Sequence, residues 1–187
     1  VGDLANSLSR KTGIDDEVIQ SGSNLLLTFK NVRNEAGEGA NMFDRATAAA
    51  LDLSKAGFGD VNSAAKMLGK ALNDPVKGIN AMSRAGVTFT DKQKTMIAAM
   101  VKSGDTLGAQ KLIMKEVESQ VGGAAEAQAT AADKFAVSWG NFKESVGNVI
   151  SPALDSLATK GVAAFAWAEK NQGTVKNLAI AIGSITA

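Results

Sequence analysis

The chain has no cysteine, no histidine and no tyrosine, and only two of its 187 residues are proline. Without cysteine there is no disulfide framework, no thiolate nucleophile and no thiolate metal site. Without histidine the commonest general base and metal ligand are also missing, which leaves paired carboxylates as the main catalytic option. Aromatic residues make up 5% of the chain against 45% hydrophobic residues in all, many of them alanine. A surplus of small side chains suits close helix–helix approach better than a bulky core. The 20 basic and 19 acidic residues are interspersed and give a net charge of +1. No basic block tracks a phosphate backbone, so specific nucleic-acid binding is not indicated. No apolar run reaches the roughly 18 residues of a membrane-spanning helix. Val1–Ser9 lacks the basic start and apolar stretch of a signal peptide. Val1 is not an initiator methionine, and "NLAIAIGSITA" stops inside an apolar run, so both ends are expected to continue in a longer chain.

What the sequence has in abundance is helix punctuation. Strand signals are scarce, and "LLLTF" (Leu25–Phe29) reads as the end of a helix that Asp15 opens with three acids in its first turn. A short helix over Asp3–Arg10 precedes it. The loop "KNVRNEAGEGAN" separates it from a helix over Met42–Lys55, and Asp60 caps the next, whose stripe is Val61, Ala64, Ala65, Leu68 and Leu72. In "NDPVKGINAMSRAG", Asn73 or Asp74 caps, Pro75 occupies the first turn, and Val76, Ile79 and Met82 form a stripe that Gly86 ends. In "VTFTDKQK", Thr90 and Gln93 form a capping box. Met96, Ile97, Met100 and Val101 form the apolar face of that helix. Asp105 caps the following one, with Leu107, Leu112, Ile113 and Val117 facing inward.

After "VGG" the pattern changes. Phe135, Trp139, Phe142, Val146 and Val149 step by four, three, four and three, and Ala132, Gln128, Ala125 and Val121 continue the alternation backward. That 3.5-residue period is a coiled-coil seam, and a continuous helix over 124–150 would span about 40 Å. The seam is assigned to Phe135, Trp139, Phe142, Val146 and Ile150, packing between copies or back onto the hairpins. Ser151 and Pro152 then restart a helix, and Trp167 falls at packing spacing. The expected architecture is all-α: a compact multi-helix region over 1–121 built of αα-hairpins, then longer coiled-coil-like helices over 122–187. The acid groups, Glu116 with Glu118 and Asp15, Asp16 with Glu17, read as a solvated face and as a first turn complementing the helix dipole.

These residues also carry a family likeness. "MLGKALNDPVKGINAMSRAGVTFTDKQKTMIAAMVKSGDTLGAQKLIMKEVESQVGGAAEAQA", with "SWGNFKESVGNVISPAL" after it and "LANSLSRKTGIDDEVIQSGSNLLLTFKNV" and "MFDRATAAALDLS" before it, resembles the tail tape measure proteins of long-tailed bacteriophages and prophages. The most specific stretches are Ala71–Gly78, "GVTFTDKQ" and "SGDTLGAQKLI". The resemblance implies a non-enzymatic, cofactor-free homo-oligomer inside the virion tail, assembled in the host cytoplasm. It would scaffold the tail tube, set tail length and later assist genome ejection at the host envelope. The implied partners are the tail tube protein, tail assembly chaperones, other tail-tip proteins and, on ejection, the host membrane. Two rival readings stand beside it. Ser151–Ala187 could belong to a membrane-active segment of a genome-delivery channel, or the free carboxylates could serve a small wall-degrading hydrolase.

Overall fold

Except at the first helix, which follows Val1 without a side-chain cap, the helix starts among the described residues are fixed by side chains that take up amides no helix can satisfy by itself. The structure, a computed structural model, describes residues 1–142 together with 144, 145, 147, 167, 170, 171 and 174. Among these there is one isolated bridge, Asn34 with Asn41, and no strand. The protein is all-α. Among the described residues the helices are α1 (Gly2–Thr12), α2 (Asp16–Leu27), α3 (Met42–Lys55), α4 (Val61–Asn73), α5 (Pro75–Ala85), α6 (Asp91–Lys102), α7 (Thr106–Val121) and α8 (Ala124–Ala127), with further helix from 131.

The chain divides into two units, Val1–Ser138 and Trp139–Ala187. In the first, α4 is central and packs against α2, α3, α5 and α7. Its stripe of Ala64, Ala65, Leu68, Ala71 and Leu72 is wholly buried, joined by Leu26, Met42, Leu53, Met82, Ile97, Ile113 and Met114. Each such large side chain contributes roughly 1.5–3 kcal/mol by leaving water. Small residues let the helices close in. A Cβ added at Gly78 of α5 would overlap the Cα of Ala71 in α4, and one at Gly22 of α2 would lie 2.8 Å from Val61 Cγ1. A smaller cluster of Ala5, Ile19, Leu51, Val61 and Ala125 joins α1, α2, α3, α4 and α8.

Three expectations need correction. Helix over 124–150 is not continuous: α8 is only four residues long, and Gln128–Thr130 leave helical geometry before helix resumes at 131. Contacts with α3 and a second capping box, described below, impose the break. Thus α8 belongs to the first unit, which runs past Val121 to Ser138. Second, the long coiled-coil-like helices are not seen among the described residues, where the longest complete helix is α7 with 16 residues. Third, on the expected α6 face Ile97 is fully buried and Met100 and Val101 pack against the core, but Met96 is 41% exposed. The cause is position: α6 lies at the rim and packs on α5 and α7, so a narrow stripe suffices. Val76 and Val18, at the starts of α5 and α2, are likewise exposed.

Candidate functional site

The stretches that set this sequence apart are helix junctions, and the structure shows what their polar residues hold. At the α4–α5 corner the Asp74 carboxylate accepts from the Lys77 amide at 3.4 Å and pairs with Lys77 Nζ at 3.3 Å. Pro75 sits at the first helical position, where no amide is needed. Asn73 accepts from the Asn31 amide at 3.3 Å through its side chain and from Asn31 Nδ2 at 3.0 Å through its carbonyl, tying the α2–α3 loop to the corner. Together with the close approach of Gly78 to Ala71, these bonds give every polar or small residue of "NDPVKG" a structural task.

The α5–α6 junction continues the pattern. Gly86, at φ 115°, closes α5 with amide bonds from Gly86 to Ser83 O and from buried Val87 to Met82 O, the Schellman arrangement. Thr90 and Gln93 form the capping box of α6: the Gln93 amide donates to Thr90 Oγ1 at 3.2 Å, and the Thr90 amide donates to Gln93 Oε1 at 2.7 Å. The free end of that side chain donates to Glu116 on α7, whose other oxygen accepts from Gln120 at 2.7 Å. Gln120 in turn bonds both backbone groups of Thr88, at 3.0 and 2.7 Å. A five-residue polar chain thus stitches the α5–α6 connection along α7.

The remaining caps stand where the sequence put them. Asp60 accepts from the Ser63 amide at 2.7 Å, and Asp105 from the Gly108 amide at 2.8 Å. The Ser63 amide, then the Ser63 side chain and the Asn62 amide, hold the Asp60 carboxyl below the usual aspartate range.

Several fastenings went unread because their partners lie far apart in sequence. Gln110, 3% exposed, donates from Nε2 to Asn31 O at 2.7 Å and Leu72 O at 2.9 Å. Arg45 of α3 grips Glu118 of α7 and reaches Gly39 O at 2.9 Å. Asn34 caps α3 from outside, accepting from the Phe43 and Asp44 amides at 3.0 and 3.2 Å. Asp52 accepts from the Gly123 and Ala125 amides at the start of α8. One unread signal was local: Thr130 and Asp133 form a second capping box, with the Asp133 amide on Thr130 Oγ1 and the Thr130 amide on Asp133 Oδ2. The Thr130 hydroxyl and amide lower the Asp133 pKa.

The acid groups are therefore engaged in structure: Glu116 and Glu118 across helices, Asp15 with the Glu17 amide, and Asp16 with Gln20. Among the described residues no group of three His, Cys, Asp or Glu side chains could hold a metal. A cleft of about 260 Å³ beside the α4–α5 corner is lined by Phe29, Lys70, Asn73, Asp74, Lys77, Gly78 and Ala81.

Of the seam residues, Phe135 lies near the end of the first unit and is 69% exposed. In the second unit Trp139 and Phe142 are 51% and 55% exposed and stack with ring centroids 5.5 Å apart. Val146 and Ile150 lie outside the described residues, as do Ser151, Pro152 and nearly all of 151–187. Trp167 is exposed, and its carbonyl accepts from Asn171 Nδ2 at 2.8 Å. No helix among the described residues is long and apolar enough to cross a membrane. Compared with protein families, curated proteins and solved structures, the chain matches none.

Proposed function

We propose that this chain is a structural part of a phage tail tape measure protein, acting as scaffold and length determinant for the tail tube rather than as an enzyme. Two things support the reading: the resemblance of the junction stretches, and an all-α body whose distinctive polar residues bind helix to helix. The observation that carries it is the polar network of the junction stretches, in which Thr88, Thr90, Gln93, Glu116 and Gln120 bind the α5–α6 connection along α7. In the sequence Phe135, Trp139 and Phe142 recur at a 3.5-residue period, the spacing of a coiled-coil contact between copies. An α-helical ruler also has a constant rise of about 1.5 Å per residue, the property a length gauge needs.

The tube protein, assembly chaperones and tail-tip proteins are the partners in this reading, and the tail interior its location. Mass spectrometry of purified tails should find the chain, and in-frame deletion of its coding region should shorten the tails in electron micrographs. Tails of normal length after deletion would reject the length-setting role. For the seam, sedimentation velocity should show self-association of the wild-type chain that Phe135→Ala with Trp139→Ala abolishes.

A further inference from the structure

We propose that residues 122–138 form a latch between two helical arrangements: the observed one, with α8 docked on α3, and a second in which 124–138 is one continuous helix released from α3. This goes beyond the assembly role above and stands on the geometry of the first unit alone.

The docked arrangement rests on contacts from elsewhere in the chain. Asp52 Oδ2 accepts from the Gly123 amide at 3.1 Å and Oδ1 from the Ala125 amide at 2.9 Å, so one α3 carboxylate caps α8. Ala125 is 1% exposed in the cluster with Ala5, Ile19, Leu51 and Val61. Gln128 Nε2 donates to Lys55 O at 3.2 Å, securing the far end of α8 to the end of α3. The next helix starts at the Thr130–Asp133 box and abuts α1's end, where a Cβ on Gly13 would stand 2.6 Å from Asp133 Cβ.

Apart from the exposed Thr130–Asp133 box, nothing local favours the break. The stretch "AAEAQATAADKFAVS" over 124–138 has neither glycine nor proline and is dominated by alanine, the strongest helix former. A helix of four residues is far too short to persist alone, so α8 exists because α3 holds it. The apolar period runs through the break, with Ala125, Gln128, Ala132 and Phe135 on one stripe of a continuous helix. Zipping would supply the amides of Thr130, Ala131, Ala132 and Asp133 with acceptors four residues back, replacing for Thr130 and Asp133 what their box now provides. It would also give a rod of about 22 Å and uncover the face formed by Leu8, Lys11, Thr12, Ala48, Leu51 and Asp52, which α8 now adjoins.

Amide hydrogen exchange on the whole chain tests this. Thr130→Ala removes the exposed box without touching the core and adds a stronger helix former. It should raise protection at Ala131 and Ala132 about tenfold and lower it at Gly123 and Ala125. Asp52→Asn, which weakens the cap on α8, should move the same amides in the same directions. The chain has no cysteine, so Lys55→Cys with Gln128→Cys can be joined by a short bismaleimide. With α8 so fixed, Thr130→Ala should no longer raise protection at Ala131 and Ala132. Protection that falls at all these amides together, fails to move in either variant, or still rises in the cross-linked protein overturns the latch.

Discussion

The Arg45 guanidinium meets the Glu118 carboxylate through two parallel bonds of 2.8 Å, from Nε to Oε1 and from Nη2 to Oε2, across 73 residues of sequence. Arg45 is 19% and Glu118 39% exposed at the side chain, so the pair is only partly screened. Removing either partner to alanine should destabilise the protein by about 1–2 kcal/mol, with a coupling on the order of 1 kcal/mol in a double-mutant cycle. Arg45→Lys should lose most of that coupling, because an ammonium cannot form the fork. A cycle in urea that gives additive losses would show that the two side chains do not act together.

Gly78→Ala should cost about 1–3 kcal/mol, because the new methyl meets the Ala71 backbone, which has nowhere to retreat inside the α4–α5 contact. Gly2→Ala, in open space at the start of α1, serves as the control and should leave the melting temperature unchanged or slightly raised.

Gln110→Leu keeps the buried volume but orphans the carbonyls of Asn31 and Leu72, and should lose about 1–3 kcal/mol. Its unfolding midpoint can be set beside that of Gln120→Ala, whose partners at Thr88 are exposed and can turn to water, so that its loss should be smaller.

Asp60 supplies the pH dependence. Its folded-state pKa is lowered by the Ser63 amide, so the stabilisation is fully present above the ordinary aspartate range and is lost as pH falls through the lowered value. Asparagine caps about as well without titrating. Asp60→Asn should therefore melt close to wild type at neutral pH and lose less stability than wild type on acidification.

What the sequence revealed and what it hid divide along chain distance. Asp60, Asp74, Thr90, Gln93 and Asp105 each bond an amide two or three residues away, and such spacing is written in the local order of residues. Arg45, Asn34, Gln110 and Asp52 bond partners between 6 and 79 residues away, and no local pattern marks them. The break at Gln128–Thr130 combines both cases: the "TAAD" box was legible, but uninterrupted apolar spacing argued for one helix, and the α3 contacts that decide the matter come from outside the window. The aromatic seam shows a different limit. Periodicity places Phe135, Trp139 and Phe142 on one stripe but does not say whether their cover belongs to the same chain.

Near the end of the first unit, α7 bonds through Gln110 to the loop after α2 and the end of α4, through Glu118 to α3, and through Glu116 and Gln120 to the α5–α6 connection. Tension applied at Ser138 would first draw residues 122–138 off α3, and once it reaches Val121 it would meet almost every earlier segment at once. Under an optical trap a short early extension should be followed by a single rip of the rest of the unit.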